Sequence, residues 1–267
     1  MSTNTKGTAL ITGASSGIGA VYADRLARRG YDLILVARDR AKLQALASEI
    51  SDATGRAVEV LAADLGDAAD LAHVEAVLRS DASITALVNN AGIGSHAGLL
   101  DSNVDRMEAM IRLNVVALTR LTYAAVPGFV ARGGGTIINI ASIVAIAPEL
   151  LNGVYGGTKA FVQAFSTSLN HEFGDKGLRI QAVLPGATAT DFWEKGGLPV
   201  EHLPTEIVMR ASDMVDAALV GLDRGEPTTI PALADPALWE AFEAARVALG
   251  PHLSAQSPAP RFGVAAN

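Results

Sequence analysis

The chain has 267 residues, of which 49% are hydrophobic and 18% charged, with a net charge of −7 and no cysteine. That length and balance support a globular body with a substantial core and argue against disorder. The acidic balance speaks against a nucleic-acid surface, and the lack of cysteine excludes disulfides, thiolate nucleophiles and cysteine metal sites.

The opening residues, MSTNTKGTALITG, lack the basic start and apolar core of a signal peptide, and no run of about 18 uncharged apolar residues follows. A cytoplasmic protein without membrane or nucleic-acid partners is expected. His73, His96, His171, His202 and His252 show no ligand spacing, so they read as surface or pocket-rim residues and no metal is expected.

Short apolar runs follow one another along the chain: TALIT (8–12), DLILVA (32–37), AVEVLAAD (57–64), ALVNN (86–90), GTIINIAS (135–142) and RIQAVLPG (179–186). Continuous apolar runs mark strands buried on both faces, and the pieces between them are long enough for crossover helices. The predicted fold is α/β: a single-domain, Rossmann-type, doubly wound parallel sheet of about seven strands with helices on both faces. Beyond residue 186 the alternation weakens into a long loop or broken helix, then a helix over 211–225, a last strand in EPTTIPA (226–232) and a terminal helix over 235–249. The domain is expected to span 1–253, with a substrate loop at about 190–210 and a flexible tail over 254–267.

Between the first strand and the first helix stand Gly13, Gly17 and Gly19. Glycines there permit a tight turn and a close backbone approach to a pyrophosphate, held by the free N–H groups of the helix. The same letters, Gly13-Ala14-Ser15-Ser16-Gly17, also match the GxSxG nucleophile elbow. That match reads as accidental, because an elbow serine needs later acid and histidine partners on a larger sheet.

Farther along, VYGGTK (154–159) puts a phenol and an ammonium four residues apart, on one face if the segment is helical. Gly156 and Gly157 would each cost such a helix about 1 kcal/mol relative to alanine. An ammonium roughly 5 Å from Tyr155, at an effective dielectric of about 20, would favour the phenolate by about 3 kcal/mol, some two pKa units.

Thr12, Gly13, Gly17 and Gly19 form a TGxxxGxG spacing, followed in order by Asp64, NNAG (89–92), Asn114, Ser142, YGGTK (155–159) and PGATAT (185–190). The ordered set, over roughly residues 7–190, resembles the short-chain dehydrogenase/reductase family in its compact form. Singly, Tyr155 suits a packed aromatic, Lys159 a solvated charge, Ser142 a strand-end cap and Asn114 a helix irregularity; together, in family order, they favour a joint role.

The resemblance implies an NAD(P)-dependent oxidoreductase that moves a hydride between a nicotinamide cofactor and a ketone, aldehyde or secondary alcohol. It assigns Tyr155 to general acid/base chemistry, Ser142 to polarising the substrate oxygen, Lys159 to the nicotinamide ribose and the tyrosine, and Asn114 to a water in a proton relay. Cofactor contacts would come from Gly13, Ser15, Ser16, Gly17, Ile18 and Gly19 at the pyrophosphate, from Asp64 and Leu65 at adenine, and from Asn90, Ala91 and Gly92 near the adenine ribose. Pro185, Gly186, Thr188 and Thr190 would meet the carboxamide, and Gly156 and Gly157 would make room for a neighbouring helix or the cofactor. Asn89 would instead tie neighbouring strands. The alternative, a catalytically silent cofactor-binding regulator, would be expected to lose Tyr155 or Lys159.

NADP is expected over NAD. In the alignment that the resemblance implies, the NAD-selecting acidic position falls on Ala37, and Arg38 can offer a guanidinium to a 2′-phosphate. Asp39 and the neutral Ser16 weigh against a strong preference. The apolar surface of 114–130 and 160–173 suggests a homodimer or homotetramer. The loop from Thr190 to Met209, with Phe192, Trp193, Leu198, Val200 and Leu203 around Gly196 and Gly197, suggests an apolar cover over the pocket.

Overall fold

The structure, a computed structural model, describes residues 6–264. Contacts divide the chain into two compact units, Met1–Pro231 and Ala232–Asn267. The first holds a seven-stranded sheet in the order β3-β2-β1-β4-β5-β6-β9, and every neighbouring pair is parallel. Its strands are β1 (Thr8–Thr12), β2 (Asp32–Ala37), β3 (Val58–Ala62), β4 (Ile84–Asn89), β5 (Gly135–Ile140), β6 (Leu178–Val183) and β9 (Thr228–Thr229).

Alternate residues of each strand feed opposite cores, as the two-residue period of a strand requires. Ala9, Ile11, Leu33 and Leu35 pack with Tyr22 and Leu26 of α1 (Gly17–Arg28) and Met214 and Val215 of α8 (Ala211–Arg224). Leu10, Ile34 and Val36 pack instead with Val74 and Leu78 of α3 (Ala68–Ser80) and Leu121 and Phe129 of α5 (Leu118–Ala131). Each fully buried Leu, Ile or Phe contributes roughly 1.5–3 kcal/mol. Among the buried polar residues of the sheet are Asn89 and Asn139. Asn89 Nδ2 donates to Thr122 Oγ1 and Asn139 Oδ1, and Asn139 Nδ2 donates to Ser166 Oγ, tying β4 to β5 and to the helices below them.

Strand order reverses between β1 and β4, so their carboxyl ends part and leave a crevice, the usual ligand position in such sheets. Thr12 Oγ1 bridges it, donating to Val88 O and accepting from the amides of Asn90 and Ala91.

TALIT and DLILVA form strands over the expected residues, the third, fifth and sixth strands end earlier than expected, and EPTTIPA contributes only Thr228–Thr229. The expected loop after residue 186 is more structured than its sequence suggests. It holds β7 (Thr188–Ala189), paired with β8 (Met209–Arg210) as a separate two-stranded sheet, and the single-turn α7 (Phe192–Lys195). Elements of two to four residues leave no periodic pattern to read.

From Val104 to Ala131 the backbone is continuously helical: α4 (Val104–Ile111), a wider π turn (Arg112–Ala117) and α5. By length and composition this helix could cross a membrane, but half of its apolar window is buried inside the protein. In the second unit, α9 (Pro236–Ala248) starts from an Asp235 cap and has no buried residue. The last 14 residues, expected as a flexible tail, include a 3-10 turn at Pro260–Phe262 among those described.

Candidate active site

The carboxyl edge of the sheet opens into a cavity of about 550 Å³, lined mainly by apolar side chains. Gly13, Ser16, Gly17 and Ile18 of the first turn line one part of it, with Asn90, Ala91 and Gly92 after β4. Ser142, Tyr155, Lys159, Pro185, Gly186, Thr188 and Thr190 line the rest of the polar margin.

The glycine turn needs its glycines. Gly13 and Gly17 have φ of +64° and +55°, a region costly for other residues. A Cβ on Gly19 would lie 2.3 Å from Gly13 O and 2.5 Å from Asn90 Nδ2. Asn90 Nδ2 donates to the carbonyls of Thr12 and Gly13, so this side chain fixes the turn from the far side of the crevice. Ser15 lies in the turn outside the cavity lining, and no histidine lines the cavity, so nothing there resembles a nucleophile elbow.

Helix α6 (Gly153–Phe173) begins at Asn152, whose Oδ1 accepts from the amides of Val154 and Tyr155. That cap sets the helix rotation that turns Tyr155 and Lys159 inward, and both are buried. Lys159 Nζ donates to Ile140 O at 2.8 Å and stands 5.8 Å from the Tyr155 ring centre. Ser142, just beyond β5, lies near enough to the phenol to favour its charged form, while its Oγ donates to Pro185 O and accepts from Val144 N.

Burial pushes the Tyr155 phenol up to about 12, with Ser142 pulling it partly back. Burial also lowers the Lys159 ammonium to about 8. The expected drop in the tyrosine pKa is therefore reversed in the protein alone: loss of hydration outweighs attraction from a lysine that is itself desolvated.

Asn114 sits in the π turn, a kind of irregularity that often marks functional sites. Its Oδ1 accepts from Ile93 N, and its Nδ2 donates to Ile93 O and Thr158 Oγ1. The side-chain amide is thereby committed to holding the loop after β4 against α6. Of the two helix glycines, Gly156 is close-packed, since a Cβ there would lie 3.1–3.4 Å from Pro148. Gly157 is exposed with open space around it, so the expected close neighbour is missing there.

Arg38, Asp64 and Leu65 follow β2 and β3 at the same sheet edge but outside the cavity lining. Asp64 Oδ1 accepts from Gly66 N, and Leu65 is buried. Arg38 is exposed, whereas Asp39 turns its carboxylate onto the amide of Lys42 as the cap of α2 (Arg40–Thr54). All five histidines are exposed.

Sequence reasoning missed much of the apolar wall. Met107 and Met110 of α4, Leu150 and Leu151 before α6, and Gly94 all line the cavity. Only the inward stripe of α4 left a signal, and it was too short to interpret alone. From the segment after β6, Phe192, Trp193, Leu198 and Leu203 reach the cavity, while Val200 does not.

A short chain dehydrogenase family profile matches residues 7–197. A short-chain dehydrogenase from Sphingobium yanoikuyae in complex with NADPH is 50% identical, with a TM-score of 0.92 over 95% of this chain and 98% of that one. The bulky-bulky ketone specific alcohol dehydrogenase from Comamonas testosteroni is 44% identical, with a TM-score of 0.88 over 96% and 98%. Very-long-chain 3-oxoacyl-CoA reductase of Anas platyrhynchos is 35% identical over 68% of this chain, which spans only 60% of that relative's length.

Proposed function

Because the chain belongs to the short-chain dehydrogenase/reductase family, we propose that it is an NADPH-preferring carbonyl reductase acting on ketones that carry large apolar groups on both sides. The observation that carries this reading is the convergence of Ser142, Tyr155 and Lys159 on one apolar cavity that runs to the glycine turn. Its size, about 550 Å³, is within the ordinary range of small-molecule sites. The name of the Comamonas testosteroni relative supports the substrate class, and the complex of the Sphingobium yanoikuyae relative supports the cofactor.

A nicotinamide dinucleotide fits the residues present, because positive-φ glycines leave a bare backbone cradle where side chains would intrude. Bound there, it supplies the hydride. Gly13, Ser15, Ser16, Gly17, Ile18 and Gly19 would hold its pyrophosphate, Asp64 and Leu65 its adenine, and Asn90, Ala91 and Gly92 its adenine ribose. Pro185, Gly186, Thr188 and Thr190 would face the carboxamide. Arg38 would meet a 2′-phosphate, while the neighbouring Asp39 turns its carboxylate onto the Lys42 amide as the cap of α2.

Tyr155 keeps its proton at neutral pH, since burial has raised its pKa to about 12, and gives it to the carbonyl oxygen as negative charge develops there. Ser142 hydrogen-bonds the same oxygen and holds the phenol in line. Lys159, mostly charged at pH 7 with its pKa near 8, stabilises the tyrosinate that remains. Asn114 keeps the π turn and the loop after β4 in place, and by holding a water on Lys159 it would complete the relay that returns a proton.

A cytoplasmic homo-oligomer completes the reading. Tyr123, Val116 and Phe161 expose 69%, 42% and 37% of their surfaces on α5, its π turn and α6, the face through which two copies would join. Light scattering at micromolar concentration would give a dimer or tetramer mass.

The catalytic assignment is tested by Tyr155→Phe. NADPH affinity should stay within about threefold while turnover of a diaryl ketone falls about 10²–10⁴-fold, the usual loss of a general acid. Near-normal turnover would remove Tyr155 from the mechanism.

A further inference from the structure

Phe192 opens α7, and its ring lies 5.7 Å from the Tyr155 ring, tilted by 46°, with Trp193 packed edge-on at 5.9 Å. On its remaining side the ring enters a notch in the loop after β4. A Cβ built on Gly94 would stand 2.3 Å from Phe192 Cζ and 3.0 and 3.1 Å from the two Cε atoms. No real side-chain carbon tolerates such distances, so Phe192 occupies this position only because residue 94 has no side chain.

The two segments also lock in the reverse sense. His96, from the same loop, places Nδ1 2.8 Å from Gly196 O, and a Cβ on Gly197 would lie 2.8 Å from His96 Cε1. A second hollow, too small for a substrate group, adjoins the main cavity and shares with it Phe192, Tyr155 and every other lining residue except His96. The ring thus stands beside the catalytic phenol, seated in the Gly94 notch.

We propose that Gly94 and Phe192 act as one size-selecting device: Phe192 is the wall met by a ketone substituent beside Tyr155, and Gly94 is the positioning residue that sets where this wall stands. The inference rests on reading the cavity as a ketone site and adds which residues fix its size limit. All three close atoms belong to the ring tip, so a methyl group at 94 is accommodated by moving the ring and not the loop backbone. A ring lifted from its notch takes up substrate volume. Bulky ketones lose by this far more than small ones, and a leucine at 192, lacking the ring tip, removes the conflict.

The test compares Gly94→Ala, Phe192→Leu and the double variant with the unaltered enzyme. It measures kcat/KM for a diaryl ketone and for a small methyl ketone, together with NADPH affinity. Gly94→Ala should lower the diaryl-to-methyl ratio at least about tenfold, the scale of a methylene-sized misfit in an apolar pocket, with NADPH affinity kept. Phe192→Leu should raise that ratio. The double variant should come within about threefold of Phe192→Leu alone, the non-additivity of two residues in direct contact. An unchanged ratio in Gly94→Ala, a loss that persists undiminished in the double variant, or lost NADPH binding in Gly94→Ala would overturn the proposal. Absence of any ketone turnover by the unaltered enzyme would overturn the reaction itself and this inference with it.

Discussion

At the cofactor end of the cavity the backbone does the shaping, through Gly13 and Gly17 at positive φ and Gly19 pressed against Gly13 O, whereas at the substrate end ordinary side chains do it, with Met107, Met110, Leu151, Phe192 and Trp193 arriving from three separate segments. A phosphate is the same in every dinucleotide, so its cradle can be written once, in a short run of glycines. A substrate wall drawn from three segments has no such fixed grammar. It tolerates many apolar side chains provided their combined shape is right. The two ends should therefore respond differently to substitution.

The largest effect is expected at the backbone end. Gly19→Ala places a methyl group 2.3 Å from a main-chain oxygen, which cannot swing aside. NADPH affinity should fall by about 10²-fold or more, together with a loss of some 1–3 kcal/mol in stability from overpacking. Calorimetric titration and urea unfolding would measure the two. If Gly19→Ala binds NADPH normally, the cradle at that end is not rigid.

A smaller shift should follow from Ala37→Asp combined with Arg38→Gln. The new carboxylate can accept from a ribose hydroxyl and repels a 2′-phosphate, so the NADPH-to-NADH ratio of kcat/KM should fall by about 10–100-fold. An unaltered enzyme that already favours NADH would contradict the role given to Arg38.

What could be read in the sequence follows the same division. Gly13, Gly17, Gly19, Ser142, Tyr155 and Lys159 were legible because their chemistry depends on local spacing, and they do line or shape one cavity edge. Six of the seven parallel strands were legible because burial leaves nearly unbroken apolar runs, whereas β9 is only Thr228–Thr229. Gly94, Leu150 and Leu151 were not, since each matters only through partners distant in the chain. Strands β7 and β8 were too short for any period to show. The tyrosine pKa was misjudged for a related reason: a pairwise charge distance can be guessed from a helix, but the desolvation of both partners depends on everything packed around them.

Burial of Lys159 also leaves a pH signature. The unfolded chain keeps this proton up to the ordinary value of 10.5, while the folded chain releases it near 8, so over this window the unfolded state binds more protons and stability gains as pH rises. Urea unfolding of the protein without nucleotide, from pH 8 to 10, should show that gain reduced in Lys159→Met. Parallel curves for the two proteins would mean that Lys159 is not desolvated in solution.

The smallest effects concern the two helix glycines. Gly157→Ala, with open space around it, should stabilise the protein by about 1 kcal/mol, the helix-propensity difference. Gly156→Ala should yield less or none of that gain, because its methyl group would press on Pro148. Equal stabilisation at both positions would remove the packing reason for Gly156.

The most direct measurement is NADPH consumption by the unaltered enzyme across a carbonyl panel running from diaryl and branched aliphatic ketones to short hydrophilic keto acids. The apolar cavity beside Tyr155 predicts kcat/KM at least about tenfold higher for the bulky apolar ketones, since a charged group would have to give up its hydration there. A short keto acid that outperforms every bulky ketone, or tight NADPH binding with no turnover of any carbonyl, would contradict it.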